Sequence, residues 1–259
     1  VGKALCNALV DNVEVQKIDP LLNTTTDDIK EFSPNIIFIC VPTPMSENGV
    51  QDISILIDII KSINTFSFDS LVVIKSTILP SHVSKIEDML NSFVYNPEFL
   101  REKHADDDFI NSKMIIFGGK EAPARKLSDF YKNFITCKNR NYIITDPLSA
   151  SFIKYMINSF LATKVTFFNE FYQLFKSSEA TEDWSRLTEI ISIDDRIGSS
   201  HMDVPGHDGR YGFGGACLPK DSKAIVKYAE DMKVDLKVLK EVIKVNNKIR
   251  SSYNENTQR

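Results

Sequence analysis

LVVIKSTILPSHVSKIEDMLNSFVYN, Leu71 to Asn96, carries the pattern that decides the fold. LVVIKS and SFVYN are near-continuous apolar runs, as expected of strands in a parallel sheet covered on both faces. HVSKIEDML between them reads as a helix. The same alternation extends to both sides. IIFICV (Ile36 to Val41), MIIFGG (Met114 to Gly119) and YIIT (Tyr142 to Thr145) read as further strands, with ISILIDIIKSI and APARKLSDFYKNF as helices between them. Strand and helix in alternation predict an α/β fold with a doubly wound parallel sheet. Ligands of such sheets sit at the carboxyl ends of the strands. Here those ends are VPTP (Val41 to Pro44), Ser76-Thr77 and NPEFLRE (Asn96 to Glu102).

Towards the N-terminus, KALCNAL reads as a helix and VEVQKID (Val13 to Asp19) as a strand ending in an acid. Gly2 then stands as the last glycine of a G-x-G-x-x-G turn, and Asp19 as the acid that meets an adenosine ribose. This makes residues 1–146 a Rossmann-type domain for NAD, expected to open after the first strand and first glycines of the motif. Beyond Asp146 the strand signal stops. LSASFIKYMINSFLATKVTFFNEFYQLFKSS (Leu148 to Ser178) reads as one long helix, apolar around most of its circumference. One domain surface cannot bury it all, so a homodimer through this central helix is expected. A helix near Thr181 to Ser192, a polar glycine-containing stretch and two final helices complete a mostly helical dimerisation domain, residues 147–259.

Composition narrows the function classes. The chain has 259 residues, 42% hydrophobic, with a net charge of −4 and no basic patch, which disfavours nucleic acid and membrane surfaces as partners. No apolar run is long enough to span a bilayer. The cysteines Cys6, Cys40, Cys137 and Cys217 are far apart and without a C-x-x-C pair, and the histidines are equally scattered. No metal site or disulfide framework is expected, and the usage fits a reducing cytoplasm.

YGFGGACLPKDSKAI (Tyr211 to Ile225) is the most chemical stretch. Pro219 suits a first helical turn, so Cys217 should lie at or just before a helix N-terminus, where the peptide dipoles and Lys220 favour thiolate. Taken alone, a cysteine there is more often a small buried residue beside a tight turn. Glu98/Glu102, Lys154/Asn158 and Cys217/Asp221 share a spacing of four, which on a helix puts both members on one face. Most such pairs are ordinary solvated faces. Lys154 differs, because it falls in the apolar stretch FIKYMINSF, where an unpaired amine is costly.

VPTP, KST (Lys75 to Thr77), NPEFLRE, K-x-x-x-N-x-x-L-A-x-K-x-x-F-x-N-E (Lys154 to Glu170), DDRIG (Asp194 to Gly198) and FGGACLPKD together resemble the UDP-glucose 6-dehydrogenase family. The resemblance implies an NAD-dependent, four-electron oxidation of a nucleotide sugar through a cysteine thiohemiacetal and thioester. It implies Cys217 as nucleophile, Lys154 as the cation facing the reacting oxygen, and Asp221 paired with Lys154 or holding a water. Thr77 and Glu98 would position the water, and Asn158 the substrate. By the same resemblance Val41, Pro42, Thr43, Thr77, Glu102 and Lys220 join Gly2 and Asp19 on the cofactor. Glu98, Phe99, Leu100, Arg101, Glu102, Gly206, Arg210, Tyr211 and Gly214 would line the sugar nucleotide. Arg196 would reach it from the partner subunit. The family also implies a second nucleotide-binding domain, before which this chain is expected to stop.

Three rivals remain open from sequence. GDP-mannose or UDP-N-acetylmannosamine dehydrogenase would share the catalytic residues. A non-catalytic dimerising remnant would have tended to lose one of Cys217, Lys154, Asp221, Thr77 or Glu98. A β-hydroxyacid dehydrogenase shares the fold and the lysine–asparagine pair but needs no thiol.

Overall fold

Five apolar runs pair into one sheet in the order β1 (Ile36–Ile39), β2 (Leu71–Ile74), β3 (Phe93–Tyr95), β4 (Ile115–Gly119) and β5 (Tyr142–Thr145). The computed structural model describes residues 1–46, 48–66, 69–138 and 141–256, with the backbone alone at 102 and 252–256. Helices α1 (Gly2–Asn7), α2 (Ile29–Phe32), α3 (Ser54–Asn64), α4 (Pro80–Met89), α5 (Ala105–Ile110) and α6 (Glu121–Phe134) surround the sheet. Successive strand side chains point to opposite faces. Val72, Ile74, Tyr95 and Ile116 therefore join one buried cluster, and Leu71, Val73, Val94 and Phe117 another. The first is closed by Leu56, Ile57, Ile60 and Ile63 of α3 and Val83 and Ile86 of α4. The second is closed by Ala4 and Leu5 of α1, Phe109 of α5, and Leu127 and Tyr131 of α6. Helical spacing of the apolar residues supplies one sticky stripe per helix, and the sheet has two faces to receive them.

The chain divides into two units, Val1–Ser46 with Gln51–Lys154, and Glu47–Val50 with Tyr155–Arg259. The 30-residue helix α7 (Pro147–Lys176) begins in the first and continues through the second. The second unit adds α8 (Trp184–Ser192), α9 (Leu218–Asp231) and α10 (Lys237–Asn256). Between α8 and α9, residues 193–217 form neither helix nor strand. That stretch is anchored by Met202 and Val204, which are buried with Phe168 and packed by Tyr172, Trp184 and Tyr211. On α7 the apolar residues Leu148, Phe152, Met156, Phe160, Phe167, Phe171 and Leu174 stay exposed. No helix among the described residues is long and apolar enough to cross a membrane.

Three local expectations are corrected. The sheet is mostly parallel, but β3 and β4 run antiparallel, so parallel pairs β1–β2–β3 and β4–β5 meet at one reversed junction. The connection through α5 returns beside its own strand instead of crossing over, which is what an antiparallel neighbour permits. Val13 to Asp19 is not a strand: it pairs with none of the described strands, and an extended run without a ladder partner is not part of a sheet. Asp19 instead N-caps a short 3₁₀ turn, Pro20–Leu22, its Oδ1 accepting from the Leu21 N–H at 2.9 Å. Glu98 and Glu102 do not share a helix face, because residues 96–100 are irregular and Arg101 is extended, with 3₁₀ structure beginning only at Glu102.

Candidate active site

Each unit carries its own set of candidate residues. In the first, the register of β1, β2 and β3 brings three carboxyl ends side by side, placing Val41 to Thr43, Ser76-Thr77 and Asn96 to Glu98 in neighbouring loops. Main-chain bonds continue the ladder into them: the Lys75 N–H donates to Ile39 O and the Asn96 N–H to Ile74 O, both at 2.8 Å. The buried Thr43 hydroxyl donates to Thr77 O at 2.8 Å, and Gln51 Nε2 to the same carbonyl at 3.0 Å. Gln51 Oε1 also accepts from the Leu79 N–H at 2.9 Å. Gln51 thus ties two strand-end loops together, a role that no motif in the sequence marked.

Below Glu98 lies a second network, which joins the motif residues Lys75 and Asn96 to the unmarked Tyr131. The buried Lys75 amine donates to Asn96 Oδ1 at 2.8 Å, Tyr131 Oη donates to the same oxygen at 2.6 Å, and Asn96 Nδ2 donates to Ile116 O at 2.8 Å. Burial lowers the Lys75 pKa, against the raising effect of Cys40 and Glu98, and burial pushes the Tyr131 hydroxyl well above its ordinary range. The network fixes the start of NPEFLRE. From there Glu98 Oε2 accepts from the Leu100 N–H at 2.6 Å, holding the carboxylate against its own loop. Lys154 is buried, donates to the main-chain oxygen of Glu98, and lies 5.1 Å from the centre of the half-buried Phe99 ring. The unpaired amine feared from sequence is therefore satisfied. Arg101 is held elsewhere. Its Nε and Nη2 donate to Asp108 at 3.0 and 2.7 Å, and that hydrogen bond holds the Asp108 carboxyl below its usual range. The Glu102 side chain lies outside the described residues.

In the second unit Cys217 is the N-cap of α9 and is exposed. The Asp221 N–H donates to Cys217 O at 2.8 Å, so the two residues share one helical face, as their spacing predicts. The Asp221 carboxylate is 1% exposed, which demands partners for its charge. Asn158 Nδ2 donates to it at 2.6 Å and Lys220 pairs with it at 2.7 Å; the resemblance implied pairing with Lys154 or a held water for Asp221, and the cofactor for Lys220. Lys154 and Asn158 share a face of α7. Arg196 is exposed and folded back on Asp194, with Nε donating to Oδ1 at 2.9 Å. Of the predicted substrate-lining residues, Tyr211 packs on Tyr172 and Gly214 lies against Arg250, while Gly206 and Arg210 face each other across a main-chain bond of 2.9 Å. Burial and the Tyr172 hydroxyl raise the Tyr211 pKa. Lys164, a fixed position of the Lys154 to Glu170 motif to which no role was given, donates to Ile197 O and Gly198 O at 2.9 and 3.0 Å and so fastens the Arg196 turn. No cluster of three acidic, histidine or cysteine ligands exists among the described residues.

Two family descriptions match. Residues 5–135 match the NAD binding domain of the UDP-glucose/GDP-mannose dehydrogenase family, and residues 148–248 its central domain. The chain is 35% identical over 239 residues to a UDP-glucose 6-dehydrogenase of Rickettsia prowazekii, covering 89% of this chain and 52% of that protein. Among solved structures, a UDP-glucose dehydrogenase from Pyrobaculum islandicum superposes with a TM-score of 0.72 at 29% identity, over 86% of this chain and 52% of that one. A GDP-mannose dehydrogenase from Pseudomonas aeruginosa gives a TM-score of 0.59 at 26% identity, over 91% and 57%. The chain spans about half the length of the relatives it matches.

Proposed function

The chain belongs to the UDP-glucose/GDP-mannose dehydrogenase family, and we propose that it carries the NAD-binding and thiol chemistry of a UDP-glucose 6-dehydrogenase. The observation that carries this reading is the exposed Cys217 at the N-cap of α9 with a buried, doubly held Asp221 one turn later. A structural cysteine would be buried in an apolar setting; this one stands where helix dipoles favour the thiolate.

The strand-end loops fit a dinucleotide. Pro42 is exposed and Val41 and Thr77 half-buried, on the side where parallel α/β sheets take such ligands. Val41, Pro42, Thr43 and Thr77 would hold the cofactor there, with Gly2 and Asp19 at the adenosine end, where the Asp19 charge disfavours a 2′-phosphate. When bound, NAD accepts one hydride in each of the two oxidations. The Lys154 ammonium stabilises negative charge on the substrate oxygen. The Cys217 thiolate adds to the aldehyde carbon to give a thiohemiacetal, whose oxidation leaves a thioester. Water then adds to the thioester carbonyl, the carboxylate forms, and the thiol is released. Thr77 and Glu98 hold that water, Asn158 keeps Asp221 aligned, and Asp221 takes its proton. UDP-glucose is the substrate named for the Rickettsia relative, and we assign it here on that similarity.

We also assign the exposed apolar row on α7 to a homodimer, in which Arg196 of each subunit reaches the other's substrate, within a reducing cytoplasm. Sedimentation should find a dimer that Phe160→Glu splits; a wild-type monomer at micromolar concentration would refute it. The enzymatic reading is tested by single-turnover kinetics with UDP-glucose and NAD, following NADH and acid separately. Cys217→Ser should form little or no acid while still interconverting aldehyde and alcohol. If it yields two NADH per sugar at wild-type rate, the cysteine is structural.

A further inference from the structure

The loop before Cys217 has no ladder to satisfy its buried backbone. Gly212 and Phe213 are both buried, and a buried N–H without a partner is costly. Three side chains from distant elements supply what secondary structure does not. Asn169 Oδ1 of α7 accepts from the Gly212 N–H at 2.8 Å. Asn246 of α10 grips Phe213 at two points, its Oδ1 accepting from the N–H at 2.7 Å and its Nδ2 donating to the carbonyl at 3.1 Å. Arg250, one turn further along α10, donates from Nε to the same carbonyl at 3.2 Å and from Nη2 to Asp208 at 2.7 Å.

Sterics make this fit specific. A Cβ on Gly212 would lie 2.4 Å from Asn246 Oδ1, and one on Gly214 would lie 1.4 Å from Arg250 Nη2. At Gly215, by contrast, nothing lies within 4 Å, although its φ of +76° is in the left-handed region. Gly212, with φ +73°, and Gly215 thus answer to backbone angle, and side chains of α10 fill the space beside Gly212 and Gly214. Only Gly214, Gly215 and Ala216 separate the gripped Phe213 from Cys217.

We propose that Asn246 and Arg250 are positioning residues whose grip on Phe213 places the Cys217 thiol at the α9 N-terminus and so governs its reactivity. The proposal rests on the reading of Cys217 as nucleophile, but its test does not pass through turnover. The probe is iodoacetamide, with labelling of Cys217 followed by peptide mass across pH 5 to 9 in the wild-type chain and in Asn246→Asp, Arg250→Met and Arg250→Lys. Asn246→Asp keeps the acceptor and loses the donor; Arg250→Lys keeps the Asp208 pair and loses the planar fork. Asn246→Asp and Arg250→Met should each move the labelling midpoint upward by about one pH unit, slowing labelling at pH 7 about tenfold, with Arg250→Lys between them and wild type. Midpoints and rates within about twofold of wild type, in variants whose circular dichroism and melting are preserved, would overturn the proposal. Should Asn246→Asp not fold, the two Arg250 variants decide it by the same criterion. A shift in labelling together with acid formation by Cys217→Ser would sink the nucleophile reading and leave the positioning role standing.

Discussion

The strand-end loops of the first unit and residues 193–217 of the second both present candidate site groups, yet their backbones are held by different means. At Lys75 and Asn96 the main chain itself continues the parallel ladder into the loop. Side chains such as Gln51 and Tyr131 then brace a frame that already exists. In residues 193–217 there is no ladder, and the frame is made of side chains: Lys164 on Ile197 and Gly198, Trp184 on Met202, and Asn169, Asn246 and Arg250 on the glycine loop. Ladder-held loops should therefore tolerate loss of one side chain, whereas the second kind should open locally when one anchor goes.

The largest effect expected is chemical. Lys154→Ala should slow both oxidations by roughly a hundredfold to ten-thousandfold, as for other groups that face developing charge. Because β1–β3 hold their loops through the main chain, the sheet should melt nearly as in wild type. A loss below about tenfold would show that the amine only braces Glu98.

Next comes the core. Ile60, fully buried on α3, should cost about 2–5 kcal/mol when replaced by alanine. Denaturant unfolding would report that loss while tryptic cleavage at Arg196 stays unchanged; faster cleavage there would erase the contrast between the two regions. Lys164→Met inverts the experiment. It removes two hydrogen bonds from a cationic donor, worth about 1–3 kcal/mol, so cleavage at Arg196 should quicken roughly fivefold to 150-fold with no change in sheet stability.

The smallest effect concerns pH. Arg101 keeps the Asp108 carboxyl below its ordinary value, so the folded state binds that proton less readily than the unfolded chain. The stabilisation is complete above the unfolded carboxylate pKa and fades as pH falls through the lowered one. Asp108→Asn should flatten the melting temperature between about pH 5 and pH 3. The effect is small because Arg101 is mostly exposed and solvent screens the pair. An unchanged slope would mean that the pair contributes nothing to stability.

Much of the fold was legible because burial has a period. All five strands and the helices α3, α4 and α6 follow from runs such as LVVI and from the helical spacing of Leu56, Ile57, Ile60 and Ile63, whereas the short α5 between β3 and β4 went unread. The N-cap position of Cys217 followed from Pro219, and the shared faces of Lys154 with Asn158 and of Cys217 with Asp221 from their spacing. Val13 to Asp19 misled because its composition suits a strand while pairing is a property of neighbours.

By itself, then, the sequence determined the five paired strands, the longer helices, their order, and which residues share a helical face, since each depends on contacts within a few positions. Tertiary structure decided the reversed junction of β3 and β4, the capture of Arg101 by Asp108, and the partners of Lys154 and Asp221. It also decided what lies beside the glycines of YGFGG. Asn246 and Arg250 lie 33 and 37 residues from Phe213, and they occupy the space beside Gly212 and Gly214. An irregular buried backbone must find its hydrogen bonds wherever folding brings a donor or acceptor, and no local period records where that will be.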